Sequence, residues 1–205
     1  MTTALIDRPL HRRWLMRQAE GLIELFRASI GGPAGFRMLG HDGQPMFGPD
    51  EVFGLHDTAR LIHIFSLATG LGIPGLGDGI DQGMAFLKSA HRDVRHGGYF
   101  WRVGAEGPVN DSKQAYGHAF VLLAAASALR VGHPDAPALL ADVTEVIEAR
   151  FWEDGPGAMA EEFAADWSPL DGGAYRGQNS NMHSTEALMA AYETTCFEVS
   201  IFLSV

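Results

Sequence analysis

Three polar residues recur at matching places along the chain: Arg60 in LHDTARLIHIF, Tyr116 in SKQAYGHAFVLLA and His183 in NSNMHSTEA. Each lies about one turn inside a helix-like segment that follows a long connection. All three are therefore expected at similar depth, at the mouth of one cavity. His118, Asn179, Asn181 and Glu186 stand close by in the sequence. Such a set suits proton transfer on a polyhydroxylated substrate. Histidine is the side chain fitted to general acid–base work near neutral pH. An arginine fork can hold and polarise a carbonyl or hydroxyl oxygen. Asparagine and tyrosine can hydrogen-bond sugar hydroxyls, and aromatic rings offer the apolar face of a sugar a surface. His183 and Arg60 are thus the candidate catalytic residues. Tyr116, Asn179, Glu186 and His118 are the candidate substrate contacts, with His118 read equally well as a core residue.

Other signals carry less. His63, His91 and His133 read as structural. His56 and His63 share a helical face, but no HExxH or carboxylate cluster accompanies them, so no metal is expected. GLGIPG at 70–75 spells a glycine fingerprint, yet no strand precedes it and a proline interrupts it, so no dinucleotide cofactor is expected. Glu161, Glu162 and Asp166 form an acidic group on a connection. Glu162 and Asp166 could serve a glycosidase as acid and base, although a solvated acidic loop explains them as well.

The elements that must position these residues read as helices nearly throughout. Trp14, Leu15, Leu22, Leu25 and Phe26 share one stripe, and Leu55, Ala59, Ile62 and Phe65 another. A third helix follows Asp78. A fourth starts near Asp111 or Ser112 and stops at Gly132. A fifth opens with Pro134, and a sixth begins near Ser180. No alternating strand is evident. Connections alternate long and short, the long ones at roughly 31–52, 92–110 and 152–179. If successive helices run antiparallel, the three long loops gather on one rim. That rim collects Phe36, Phe47, Tyr99, Phe100, Trp101, Trp152, Phe163, Trp167 and Tyr175. Three helical hairpins at about 60-residue spacing are longer than common solenoid repeats and fit a ring of inner and outer helices.

Composition sets the bounds. The 205 residues are 46% apolar with a net charge of −10. A diffuse acidic balance argues against nucleic acid and anionic membranes as partners. The single cysteine, Cys196, fits a reducing compartment. The N-terminus has no apolar export segment, and no apolar run reaches the ~20 residues of a bilayer span. A cytoplasmic protein is expected.

Taken together, HRRWL at 11–15, TARLIHIFSLA at 58–68, HGGYF at 96–100, SKQAYGHAFVLLAAASA at 112–128, EARFW at 148–152 and YRGQNSNMHSTEA at 175–187 resemble the N-acylglucosamine 2-epimerase superfamily, especially its aldose–ketose isomerase branch. The resemblance covers residues 11–194. It implies an all-α (α/α)6 barrel, present here as its N-terminal half of about six helices. It implies sugar isomerisation or 2-epimerisation through an enediol-type intermediate, with a small sugar as partner and no cofactor. By matching position, Arg60, Tyr116, Asn179 and His183 would bind the sugar. His183 would assist ring opening, and Arg60 would stabilise charge on the carbonyl oxygen. His56 stands where that branch often has tryptophan, and the family's second half, with two further histidines, has no counterpart in the chain.

The helical pattern lapses near Thr194. TTCFEVSIFLSV is densely apolar and β-branched, so residues 195–205 are expected to be an aberrant tail of the kind a frameshift leaves. An uncovered half ring would favour association with a second copy. A non-catalytic helical fragment is the remaining reading.

Overall fold

The computed structural model describes residues 4–202, apart from 33, 47, 49, 50, 171, 172, 174 and the side chains of 197–202. Six α-helices stand among them: α1 Pro9–Arg27, α2 Leu55–Gly70, α3 Gly77–Phe86, α4 Ala115–Arg130, α5 Ala136–Val146 and α6 Gln178–Phe202. Helix α6 crosses the boundary expected at Thr194 without a break. The rim aromatic Phe47 and the last three tail residues lie outside the described residues.

The inner helices α2, α4 and α6 pack side by side, with α3 behind α2 and α5 behind α4. Helix α4 is the centre of the core. Thirteen of its residues are buried, from Ala115 to Ala128, because the run AFVLLAAASAL is apolar on every face. Helix α6 meets it with a stripe of small residues: Ser180, Ser184, Ala187 and Thr194 are all buried. Small side chains against the α4 alanines let two backbones approach closely. The first helix behaves differently from expectation. Its stripe of Trp14, Leu15, Leu22 and Leu25 is exposed, and Ile23 is its one buried residue, since little among the described residues packs on it.

Two helix starts also fall elsewhere than the sequence suggested. The fourth helix opens at Ala115, because Lys113 and Gln114 are drawn into a strand. The fifth opens at Ala136, and its first-turn proline is Pro137. The predicted stop at Gly132 is present, with φ of 78°, the left-handed conformation that favours glycine.

The absence of strands is corrected by the rim. Seven short strands lace the long loops together: β1 Phe53–Gly54, β2 Arg102–Gly104, β3 Gly107–Asn110, β4 Lys113–Gln114, β5 Trp152–Glu153, β6 Ala158–Met159 and β7 Glu162–Phe163. Antiparallel pairing of β1 with β2 joins the first loop to the second, and β4 with β7 joins the second to the third. The longest of these strands has four residues, too few for period-two alternation to register. The three loops do share one rim.

The hairpins repeat in register. Leu55 and Ala115, which open α2 and α4, are 60 residues apart. The outer helices α3 and α5 each end in a π-helical turn, Leu87–His91 and Ile147–Phe151. After it, Phe100 N–H bonds His91 C=O in one unit and Ala160 N–H bonds Phe151 C=O in the next. Leu55 N–H then bonds Trp101 C=O, and Ala115 N–H bonds Glu161 C=O.

Candidate active site

The repeat register aligns the site in two rows across the inner helices. His56, Tyr116 and Asn179 each occupy the second position of their helix, at the lip. Arg60, Phe120 and His183 occupy the sixth, one turn deeper. Tyr116 is therefore not level with Arg60 and His183, as expected from a helix start near residue 112, but one turn nearer the rim.

Side-chain length closes that gap. Arg60 Nη2 donates to Tyr116 Oη at 2.7 Å. Its guanidinium sits 4.4 Å from the centre of the Phe120 ring. The His183 ring lies 4.8 Å from Phe120 and meets Tyr116 edge-on at 5.4 Å. The structure thus brings Arg60, Tyr116 and His183 together, from three different hairpins. His183 Nδ1 is 2.9 Å from Glu186 Oε2, one turn on. A carboxylate can only accept, so the proton sits on Nδ1 and the lone pair is on Nε2. That leaves Nε2 as an available base. Because Tyr116 accepts from Arg60, its own hydroxyl proton is left to donate elsewhere.

Three members of this cluster were not among the sequence candidates. Phe120 is the floor on which both Arg60 and His183 rest. Trp101 stacks on His56 at 4.8 Å and meets Tyr116 edge-on at 6.3 Å. His56 Nε2 is 3.1 Å from Asp57, and its Nδ1 is buried without a partner among the described residues. Burial holds the His56 pKa below its ordinary value, the opposing Asp57 carboxylate notwithstanding, with Arg60 and Arg102 adding to the depression. The 60-residue spacing was the available signal, since it pairs His56 with Tyr116 and Arg60 with Phe120.

The other candidates fall apart from this group. Asn179 is exposed on the first turn of α6. Asn181 is turned to the third loop, where its Oδ1 accepts Met159 N–H at 2.8 Å and its Nδ2 donates to Gly177 C=O at 2.8 Å. His118 is held away from this group. It is fully buried, Nδ1–H donates to Gln114 C=O at 2.8 Å and Nε2 accepts Tyr99 N–H at 3.0 Å. Both ring nitrogens are used, and burial pushes its pKa down to about 3. A cavity of about 400 Å³ opens beside α2, lined by Phe36, Met38, Asp57, Arg60, Leu61 and Ile64 among others. Of the candidate residues Arg60 alone reaches it.

The two carboxylates of the acidic pair are held by separate partners. Glu162 Oε1 accepts Gln114 Nε2 at 3.0 Å. Asp166 Oδ1 accepts the Ser168 N–H at 3.0 Å and hydroxyl at 2.6 Å, and these bonds hold its carboxyl below the usual range. The two line different cavities. Among the described residues no group of histidine, cysteine and carboxylate side chains could hold a metal ion. No helix among them is long and apolar enough to cross a membrane.

A family model for N-acylglucosamine 2-epimerase (GlcNAc 2-epimerase) matches residues 34–200. The chain belongs to this family. A D-mannose isomerase of Pseudomonas cannabina pv. alisalensis is 45% identical over 91% of the chain, and one of Thermobifida fusca is 42% identical over 92%. The chain spans about half the length of these relatives, 44% and 46%. A crystal structure of D-mannose isomerase superposes with a TM-score of 0.81 at 28% identity, over 95% of this chain and 50% of that one. Cellobiose 2-epimerase from Bacillus thermoamylovorans B4167 follows with 0.78 at 20% identity, over 89% and 51%. The three hairpins are therefore half of an (α/α)6 barrel, an open arc among the described residues. Two family 76 glycoside hydrolases, at TM-scores of 0.67 and 0.66 with 12% and 10% identity, share the fold alone.

Proposed function

We propose that this chain is the sugar-binding N-terminal half of an aldose–ketose isomerase or 2-epimerase acting on a mannose-like or N-acylhexosamine sugar. The observation that carries the reading is the convergence of Arg60, Tyr116 and His183, one from each inner helix, on a single face. Arg60 donates to the sugar's carbonyl oxygen and stabilises the negative charge that grows there as a proton leaves the adjacent carbon. Tyr116 donates its hydroxyl proton to a sugar oxygen. His183, oriented by Glu186, takes the anomeric hydroxyl proton at Nε2 as the bond from C1 to the ring oxygen breaks, and delivers that proton to the ring oxygen, so opening the sugar ring. Asn179 at the lip adds a hydrogen bond. Proton exchange at carbon in the opened sugar needs acid–base groups beyond these, and the relatives' other half is where they would lie.

The family membership and the names of the two curated relatives support the substrate class. The lone cysteine supports a reducing, cytoplasmic setting, and the sugar-isomerase relatives support a role in carbohydrate metabolism. Uncovered apolar residues on α1 and α6, such as Trp14, Leu22, Met189 and Tyr192, support association with a second copy. The segment after Thr194 keeps its reading as a departure from the hairpin pattern, to be checked by resequencing the gene through that codon.

Saturation-transfer NMR with D-mannose tests the binding, and mass spectrometry of the sugar in D2O tests the turnover. Mannose binding that is lost in Arg60→Ala and His183→Ala supports the reading, and deuterium uptake at C1 or C2 is expected only where those further acid–base groups are supplied. Binding indifferent to both substitutions, or release of reducing sugar from a glycoside, overturns it.

A further inference from the structure

The first rows of the site are only as well aligned as the helix ends that carry them. Helices α4 and α6 pack closely along their length, and at the rim a further contact joins their starts. The contact is made by one residue of the third loop, Glu161. Its main-chain carbonyl accepts the N–H of Ala115, the first residue of α4, at 3.0 Å. Its carboxylate reaches the other way, to the start of α6. There Oε2 accepts Gly177 N–H at 3.0 Å and Oε1 accepts the Ser180 hydroxyl at 2.6 Å. Ser180 is completely buried. The negative charge also meets the positive end of the α6 dipole. Gly177 is required by this arrangement, since a Cβ there would overlap the carboxylate.

The same position in the preceding loop is Trp101, 60 residues earlier. Its carbonyl accepts Leu55 N–H at the start of α2, and its ring lies against both His56 of α2 and Tyr116 of α4. The repeat thus places a bridging residue between successive inner helices twice. Between α2 and α4 the bridge is a flat apolar wedge. Between α4 and α6 it is a carboxylate with directed hydrogen bonds.

We propose that Glu161 is a positioning residue: by gripping the starts of α4 and α6 together it sets His183 against Tyr116. This rests on the sugar-site reading given above, deepening it. Glu161 touches neither ring and acts through the helices. Its neighbours hold the loop without it. Asn181 keeps Met159, and Gln114 keeps Glu162. Removing the carboxylate should therefore leave the fold intact while the helix starts lose their mutual register.

The test is NMR of the 205-residue chain without sugar, reading cross-peaks between the Tyr116 and His183 ring protons in Glu161→Ala, Glu161→Gln and Ser180→Ala. Helical circular dichroism monitors the fold. The cross-peaks should vanish in Glu161→Ala, weaken in Ser180→Ala and persist in part in Glu161→Gln, whose amide oxygen still accepts one bond. Cross-peaks unchanged in a folded Glu161→Ala reduce Glu161 to a helix cap and overturn the proposal. Should Glu161→Ala not fold, the two milder variants decide, and unchanged cross-peaks in both overturn it. Because no sugar is present, a chain that fails to bind mannose yet loses these cross-peaks would refute the functional reading alone.

Discussion

Two histidines on neighbouring inner helices show how one residue type divides between roles. His118 and His183 both follow a rim loop into an inner helix. His118 faces the second loop, which closes over it. There Lys113, fully buried, donates to Asp93 Oδ2 at 2.8 Å and lies 4.1 Å from the Phe100 ring centre. Arg92 and the Tyr99 hydroxyl both bond Asp142 at 2.6 Å. Gly98, with φ of 70°, leaves no room for a side chain beside His118 and Trp167. His183 faces the concave side, where one nitrogen is held and the other left open. On the proposed reading stability resides in the first region and chemistry in the second, because an imidazole with both nitrogens bonded has no capacity left for a substrate.

The comparison breaks most visibly at Asp93. Burial alone would raise its carboxyl, but hydrogen bonds from Lys113 and from the backbone of His96 and Arg95 hold it at about 2. Replacing Asp93 with alanine strands the Lys113 ammonium in the interior and should cost about 3–5 kcal/mol in denaturant unfolding. A loss comparable to a surface change would mean the loop is not a closed region.

Acid should act next. His118 and His91 are held neutral by burial, with pKa values pushed down to about 3 and about 4 from 6.5. Folded, they stay neutral; unfolded, they are free to take a proton. The unfolded state therefore binds more protons below pH 6.5, and stability falls as pH drops from there toward those values. Between pH 7 and 5 the two together should remove roughly 4 kcal/mol. Asp93 adds nothing in that window, since its share is lost only below the ordinary carboxylate range. A Tm flat from pH 7 to 5 would contradict the burial of both rings.

On the open side the effects on stability shrink. Tyr116→Phe removes the acceptor of Arg60 and should cost about 1 kcal/mol, while mannose binding weakens more than stability does. His183→Ala should change unfolding by under about 1 kcal/mol yet abolish mannose binding. A large loss of stability there would make His183 a second His118 and dissolve the distinction.

The sequence made the hairpins, the loop alternation and the shared rim legible, because helical stripes and glycine stops are local signals. The Arg60–Tyr116–His183 convergence followed from that topology. The tier of Tyr116 did not, since two residues of strand pairing, Lys113–Gln114, moved the start of α4. The role of His118 was equally out of reach. Periodicity says which way a side chain points, but not that a tyrosine amide from another loop awaits it. The exposed stripe of α1 reads as core for a related reason: a pattern records that a face is apolar, whether or not something among the described residues covers it.

The repeat in register also sets an order in time. The amide that opens α2 is answered by a carbonyl 46 residues later, at Trp101, and the amide that opens α4 by one equally distant, at Glu161. At about 5–20 residues per second, a ribosome needs roughly two to nine seconds to supply each answer. Helices α2 and α4 therefore emerge with loose leading ends, and it is the arrival of the following loop that finishes each.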